Sequence, residues 1–141
     1  MAYTEASLNI NNEFEDEEVP VFYCEFEFNR KIDIKTGHAR SGVHAGLMQV
    51  VVEGTKKMLL LLDLMLRSEK FNGKITFKRD TSTGVSTKTV KFTNAVCVDY
   101  RETFDTNLIG GMRLNFSIWF ETIDIDNTQY NVKWKAENEQ P

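Results

Sequence analysis

Two prolines, two cysteines, two histidines and eight glycines are spread over 141 residues. So little glycine and proline excludes a collagen-like or low-complexity chain, and 41% hydrophobic with 27% charged residues is ordinary for a folded domain. Residues 1–141 read as one domain of 16.3 kDa, large enough for its own core without metal or disulfide staples, with a frayed polar tail over 136–141. Strand phase puts Cys24 and Cys97 on different faces, and neither has CxxC or His-rich company. Both therefore read as free thiols. No apolar run approaches the roughly 20 residues of a membrane span, so no membrane insertion is expected. Met1 to Ile10 lacks a basic stretch leading into an apolar core, so no secretory signal peptide is expected, and the chain is expected to fold in the cytoplasm.

The most lopsided absence is of positive charge. Residues 1–29 hold eight acids and no Lys or Arg, while the remainder has 17 basic against 13 acidic groups, a net +4. Such a chain can associate head to tail by charge complementarity, or can simply carry a solvated acidic turn at Glu15 to Glu18. A pI near 5.2 argues against nucleic acid as the main partner.

What is present is mostly alternation. Ala6, Leu8 and Ile10 alternate with Ser7 and Asn9, and Asn11-Asn12 offers a tight turn back through Glu13 and Phe14. Phe22, Cys24, Phe26 and Phe28 share one strand face. Val90, Phe92, Val96, Val98 and Tyr100 share another, opposite Ala95, Cys97 and Asp99. Met112, Leu114, Phe116, Ile118 and Phe120 form a third, after which the phase shifts to Ile123 and Ile125, and Asp126-Asn127 turns into a last strand. About eight strands with one helix around residues 56–68 predict a mainly β fold: an antiparallel β-barrel, or two sheets curled into one.

Between Met58 and Leu66 eight of nine residues are apolar. With Thr55 as N-cap and only Lys56, Asp63 and Arg67 as a polar stripe, this helix either plugs its own barrel or is partly buried between subunits. Leu59 and Leu60 flank the stripe. Leu62→Glu is expected to destroy folding, and Leu59→Glu or Leu60→Glu to impair assembly.

Chemistry is sparse. His38 and His44 sit with Asp33, Arg40 and Ser41 in an unusually long loop, 31–44, but there is no strand-to-helix elbow, oxyanion donor pair or third metal ligand. No phosphate loop or dinucleotide fingerprint occurs. No catalytic, cofactor or metal residues are assigned. Trp119 interrupts a polar strand face, as an interface anchor or a barrel-rim residue.

The stretch Asn29 to Thr55 resembles the tube protein of the bacterial type VI secretion system, the haemolysin-coregulated protein family in its Bacteroidota form. The matching positions are Asn29-Arg30, Asp33, Thr36-Gly37, Ser41-Gly42-Val43, Gly46, Val52-Glu53 and Thr55. They continue, after the helix, in Ile75-Thr76-Phe77, Asp99 to Glu102 and Met112 to Glu121. The chain departs from the pattern at His38-Ala39-Arg40, Ala45 and Gly111. The resemblance implies a non-enzymatic barrel forming homohexameric rings that stack into a hollow tube. The tube sits inside a contractile sheath, bears a spike, carries effector cargo in its lumen, and leaves the cell through the apparatus. It also implies that the long loop reaches a neighbouring subunit or ring. The interface residues expected on these grounds are Asp33, Gly37, Arg40, Ser41, Gly42, Val43 and His44, joined by Leu59, Leu60 and Trp119. The same barrel in a phage-tail-like or extracellular injection device, or as a non-polymerising effector adaptor, is the alternative.

Overall fold

The computed structural model describes residues 3–14, 17–30, 34–37, 43–108 and 111–132. Eight strands are present among them: β1 (Glu5–Ile10), β2 (Val19–Phe26), β3 (Leu47–Glu53), β4 (Phe71–Thr81), β5 (Gly84–Phe104), β6 (Met112–Trp119), β7 (Thr122–Ile125) and β8 (Thr128–Asn131). A 3-10 turn (Lys56–Met58) leads into α1 (Leu59–Leu66) between β3 and β4. The strands run β4-β1-β2-β3-β6-β5, and β5 returns to pair with β4, so six antiparallel strands close a barrel that β7 and β8 extend. Closure removes the exposed edges that an open sheet would present. Leu8, Ile10, Met48, Ile75, Phe92, Leu114, Phe116, Ile118, Phe120 and Ile123 are fully buried inside it.

Local backbone chemistry explains where the alternation read from the sequence departs from the fold. Asn11 and Asn12 do adopt positive φ, 52° and 57°. The chain does not turn back at once, however: Phe14 is buried, its N–H bonds to Asn9 Oδ1 at 3.2 Å, and the partner of β1 is β2, with Leu8 opposite Val19. In β2 the register shifts between Val21 and Tyr23. Phe22 is the extra residue, so it points out beneath the Arg113 guanidinium, 3.9 Å from the ring centroid, while Val21, Cys24 and Phe26 pack on the core.

In β5 two irregularities act in series. Asn94 has φ 50°, and there the strand leaves β4 for β6, so the inward phase passes from Val90 and Phe92 to Ala95 and Cys97. A second shift between Cys97 and Asp99 expels Val98 to 43% exposure and returns Tyr100 to the core side. Val96 and Val98 are thus not core residues. Cys24 and Cys97, expected on different faces, both face inward as free thiols.

The helix packs one side on its own barrel. Met58, Leu61 and Leu64 are buried, Leu60 and Met65 lean on the core, and α1 packs against β5. Leu62 is only half-buried, so the position whose charge would break the fold is Leu61. Thr55 does not cap with its side chain; its Oγ1 is buried without a partner among the described residues. At the other end Ser68 sits at φ 56°, with Ser68 N–H bonded to Met65 O and Glu69 N–H to Leu64 O, a Schellman motif with serine where glycine is usual.

Candidate subunit interface

The interface residues expected from the sequence separate into two surfaces, one at each end of β3. That strand is seven residues long, which sets them roughly 20 Å apart. Asp33, Arg40, Ser41 and Gly42 lie outside the described residues, so the loop is seen through its base and its 34–37 turn.

At the first end the base is pinned shut. Asn29 and His44 exchange backbone hydrogen bonds of 3.0 and 2.7 Å, and the Tyr130 hydroxyl, from β8, donates to Val43 O. The Phe28 ring stands edge-on to Tyr130 at 5.3 Å and to Phe26 at 6.3 Å. Chain segments far apart in sequence therefore hold the loop at a fixed exit, whatever its outer part does. Gly37, at φ 74°, is exposed, with no described residue within 4 Å of where a Cβ would sit, and Ile34 in the same turn is 94% exposed.

Trp119 closes β6 directly opposite Leu47, and both remain exposed, at 42% and 47%. The indole lies flat on Gly46. A Cβ there would fall 2.6 Å from the ring, and Gly46 has φ 144°, so the position needs glycine twice over. Trp119, Leu47, His44, Glu25 and Glu27 border a groove of about 390 Å³. Its acidic wall is Glu25 in β2 and Glu27 just past the strand's end, and Glu25 accepts a 2.6 Å hydrogen bond from the Tyr23 hydroxyl.

At the second end the helix shows solvent a mixed stripe. Leu59 is 55% and Leu66 is 75% exposed along one side of the Asp63–Arg67 ion pair of 2.7 Å, while Leu60 is half-buried against the core. Of the two leucines expected at an interface, Leu59 is exposed and Leu60 is not, and Leu66, not singled out from the sequence, is more exposed than either. Helical spacing carries that signal, since Leu66 follows Leu59 by seven residues. Leu47, also not singled out, occupies the outward phase of β3.

The perturbed titrations point away from an activated nucleophile. Burial pushes the Cys24 thiol up to about 12 and raises that of Cys97. Burial, then the hydrogen bond donated to Glu102, raises the Tyr100 phenol. All three groups are held protonated, the unreactive form for a thiol. Among the described residues no cluster of three or more His, Cys, Asp or Glu could hold a metal ion, and no helix is long and apolar enough to cross a membrane.

Comparison with known proteins supplies the family. Residues 2–135 match the sequence profile of hemolysin coregulated protein Hcp (TssD). Among solved structures, Hcp1 from Flavobacterium johnsoniae is similar at TM-score 0.71 and 20% identity, over 92% of this chain and 100% of that one. The secreted protein Hcp3 from Pseudomonas aeruginosa gives 0.63 and 15%, over 94% and 99%. A type VI secretion system effector from Yersinia pestis gives 0.69 and 12%, over 90% and 99%. At these identities the structures establish the shared fold. None of the curated proteins matches.

Proposed function

Because the chain belongs to the hemolysin coregulated protein Hcp (TssD) family, a family of structural tube proteins of type VI secretion, we propose that it is a subunit of the inner tube. In this reading hexameric rings of the chain stack into a hollow tube. Contraction of a surrounding sheath expels the tube with its spike, and effectors travel in the lumen. The protein assembles in the cytoplasm and leaves through the apparatus.

The observation that carries the reading is the exposed Leu47–Trp119 pair on a barrel whose core is already complete. An isolated monomer gains nothing from a leucine and a tryptophan side by side on its wet face, whereas a subunit contact would bury both. The outward leucines of α1, at the far end of β3, make a second and chemically different surface. A ring built by rotation brings unlike patches of one subunit together.

Light scattering and electron microscopy of the purified protein test the reading. Ring-shaped particles several times the mass of the 16.3 kDa chain, with tubes at high concentration, are the expected result. A monodisperse monomer at high concentration, without rings, would refute it.

A further inference from the structure

Asn72-Gly73 is the one Asn-Gly dipeptide in the sequence, and the fold demands both residues. Asn72 stands in a bulge between β4 and β5: Phe71 pairs with Ala95 and Gly73 with Phe92, so Asn72 alone spans Thr93 and Asn94. Its N–H donates to Asn11 Oδ1 at 2.9 Å, its carbonyl accepts the Asn11 N–H at 2.8 Å, and its Oδ1 accepts the Asn94 N–H at 3.0 Å. Asn11 and Asn94 both sit at positive φ, 52° and 50°, and Asn94 Nδ2 in turn donates to Glu121 Oε2 at 3.1 Å. Asn72 thus ties β4 both to the turn after β1 and to the bend in β5. Gly73 is fixed for a different reason. It lies between Ile10 of β1 and Phe92 of β5, and a Cβ there would cut into the Phe92 ring and fall 2.9 Å from Asn9 O.

The same pair is chemically fragile, because glycine puts no Cβ beside its nitrogen and leaves it free to reach the preceding side-chain amide. In that reaction the Gly73 nitrogen bonds to Asn72 Cγ and the Cγ–Nδ2 bond breaks. The proton from the Gly73 nitrogen leaves with Nδ2 as ammonia, and a five-membered succinimide remains. Water then opens the ring at one of its two N–C bonds. Breaking the bond to Cγ leaves aspartate in an ordinary main chain. Breaking the bond to the main-chain carbonyl leaves isoaspartate, whose main chain runs through Cβ and Cγ and is one atom longer. The closed barrel opposes the first step. Ring closure requires Asn72 to give up the extended ψ of a paired strand, which turns Gly73 away from both partner strands, and Asn94 holds the Asn72 Oδ1. Access of water is no obstacle, since Asn72 is exposed and borders a groove of about 260 Å³.

We propose that Asn72 is a deamidation site shielded by closure of the barrel, and that isoaspartate formed there while β4 is unpaired stops the barrel from closing again. Gly73 has to meet Ile10 on one side and Phe92 on the other, and an extra main-chain atom just before it throws β4 out of register with both. A transient opening is thereby made permanent. The inference concerns the single chain and does not depend on the tube reading.

The test compares native protein with protein in urea, held at the same mildly alkaline pH and temperature. Trypsin, cutting after Lys70 and Lys74, releases the peptide that contains Asn72, and mass spectrometry follows the exchange of its amide for a carboxyl. The exchange is expected to run more than about tenfold faster in urea, because a reaction through an open state is slowed by the fraction of molecules that are open. A smaller ratio, or an earlier mass gain at another asparagine in the unfolded chain, overturns the shielded site. On dilution from urea, recovery of circular dichroism is expected to fall in step with the isoaspartate content. Asn72→Asp keeps an acceptor for the Asn94 N–H and is expected to refold in full, which assigns the loss to the longer main chain and not to the new charge. Asn72→Gln, whose side chain forms the ring far more slowly, is expected to keep its refolding yield through the same incubation. The wild-type rates and yields decide the matter whether or not either variant folds. Full refolding of wild-type chains that carry isoaspartate at position 72 overturns the block to closure.

Discussion

Strands β3 and β6 pair along their whole length, and the pairs alternate between two walls. Facing in are Met48 with Ile118, Val50 with Phe116 and Val52 with Leu114, all fully buried. Facing out are Leu47 with Trp119, Gln49 with Ser117, Val51 with Asn115 and Glu53 with Arg113. The inner wall is uniformly apolar because a barrel interior is packed like a crystal and tolerates no polar gap. The outer wall needs only to meet water, so the exposed Leu47–Trp119 pair on it adds little to the monomer's core. The helix repeats the contrast across its width, with Leu61 inside and Leu59 and Leu66 outside.

The strongest way to break this contrast is to charge both walls of the helix. Leu61→Glu puts an unpaired carboxylate in the core at a cost comparable to the whole folding free energy of about 5–15 kcal/mol, so the protein should fail to fold. Leu66→Glu, on the opposite side, should leave stability within about 0.5 kcal/mol. Its effect should appear instead as weaker assembly in light scattering. Equal loss of circular dichroism in both variants would mean that the outer leucines are core after all.

Truncating aromatics on β6 sharpens the same point one step lower. Phe116→Ala should cost about 3–5 kcal/mol in urea melts through the cavity it leaves. Trp119→Ala, three residues on, should cost about 1 kcal/mol while abolishing rings in micrographs.

The sequence made the inner wall legible wherever a strand is regular, as at Leu114 to Phe120, where strict alternation became strict burial. It misled where a strand changes partner. At Asn94 and Val98 one extra residue each reverses the phase, and nothing local to Val96 or Val98 marks them as outward, because a bulge is imposed by the sheets on either side. Phe22 misled for the same reason. Closure of the barrel by a β4–β5 pairing and a single helix was legible only coarsely. Of the interface, the loop could be singled out by its length, but its anchoring to β8 through Tyr130 spans 87 residues and leaves no local trace. The two-surface arrangement likewise depends on β3 separating the loop base from the helix.

Alkaline pH probes the inner wall with a smaller effect. Cys24 has an ordinary value of 9.0 and is pushed up to about 12 by burial, so its thiolate is disfavoured in the fold but free to form on unfolding. The stabilisation is complete below pH 9 and drains away as pH climbs from there toward 12. By pH 10 the loss should be about 1 kcal/mol in urea melts. Cys24→Val should remove that share and leave a residual slope from Tyr100 and Cys97, which are also raised. A loss of stability on acidification from pH 9 to 8, cancelled by Cys24→Val, would mean that the thiol is not held protonated inside.

The smallest change separates stability from assembly along two residues of one turn. Ser68 is exposed and held at φ 56°, which glycine adopts without a Cβ clash. The Ser68 N–H donates to Met65 O and the Glu69 N–H to Leu64 O, all backbone groups, so Ser68→Gly keeps both Schellman bonds. The strain relieved exceeds the extra entropy of the unfolded glycine, and a gain of about 0.5–1 kcal/mol is expected. Ring formation should be unchanged, because Ser68 contributes no apolar surface. Set beside Leu66→Glu, which should lower assembly at constant stability, this variant should raise stability at constant assembly. If Ser68→Gly alters assembly as strongly as Leu66→Glu does, then the helix end acts through its backbone conformation, and the outer leucines are not the contact.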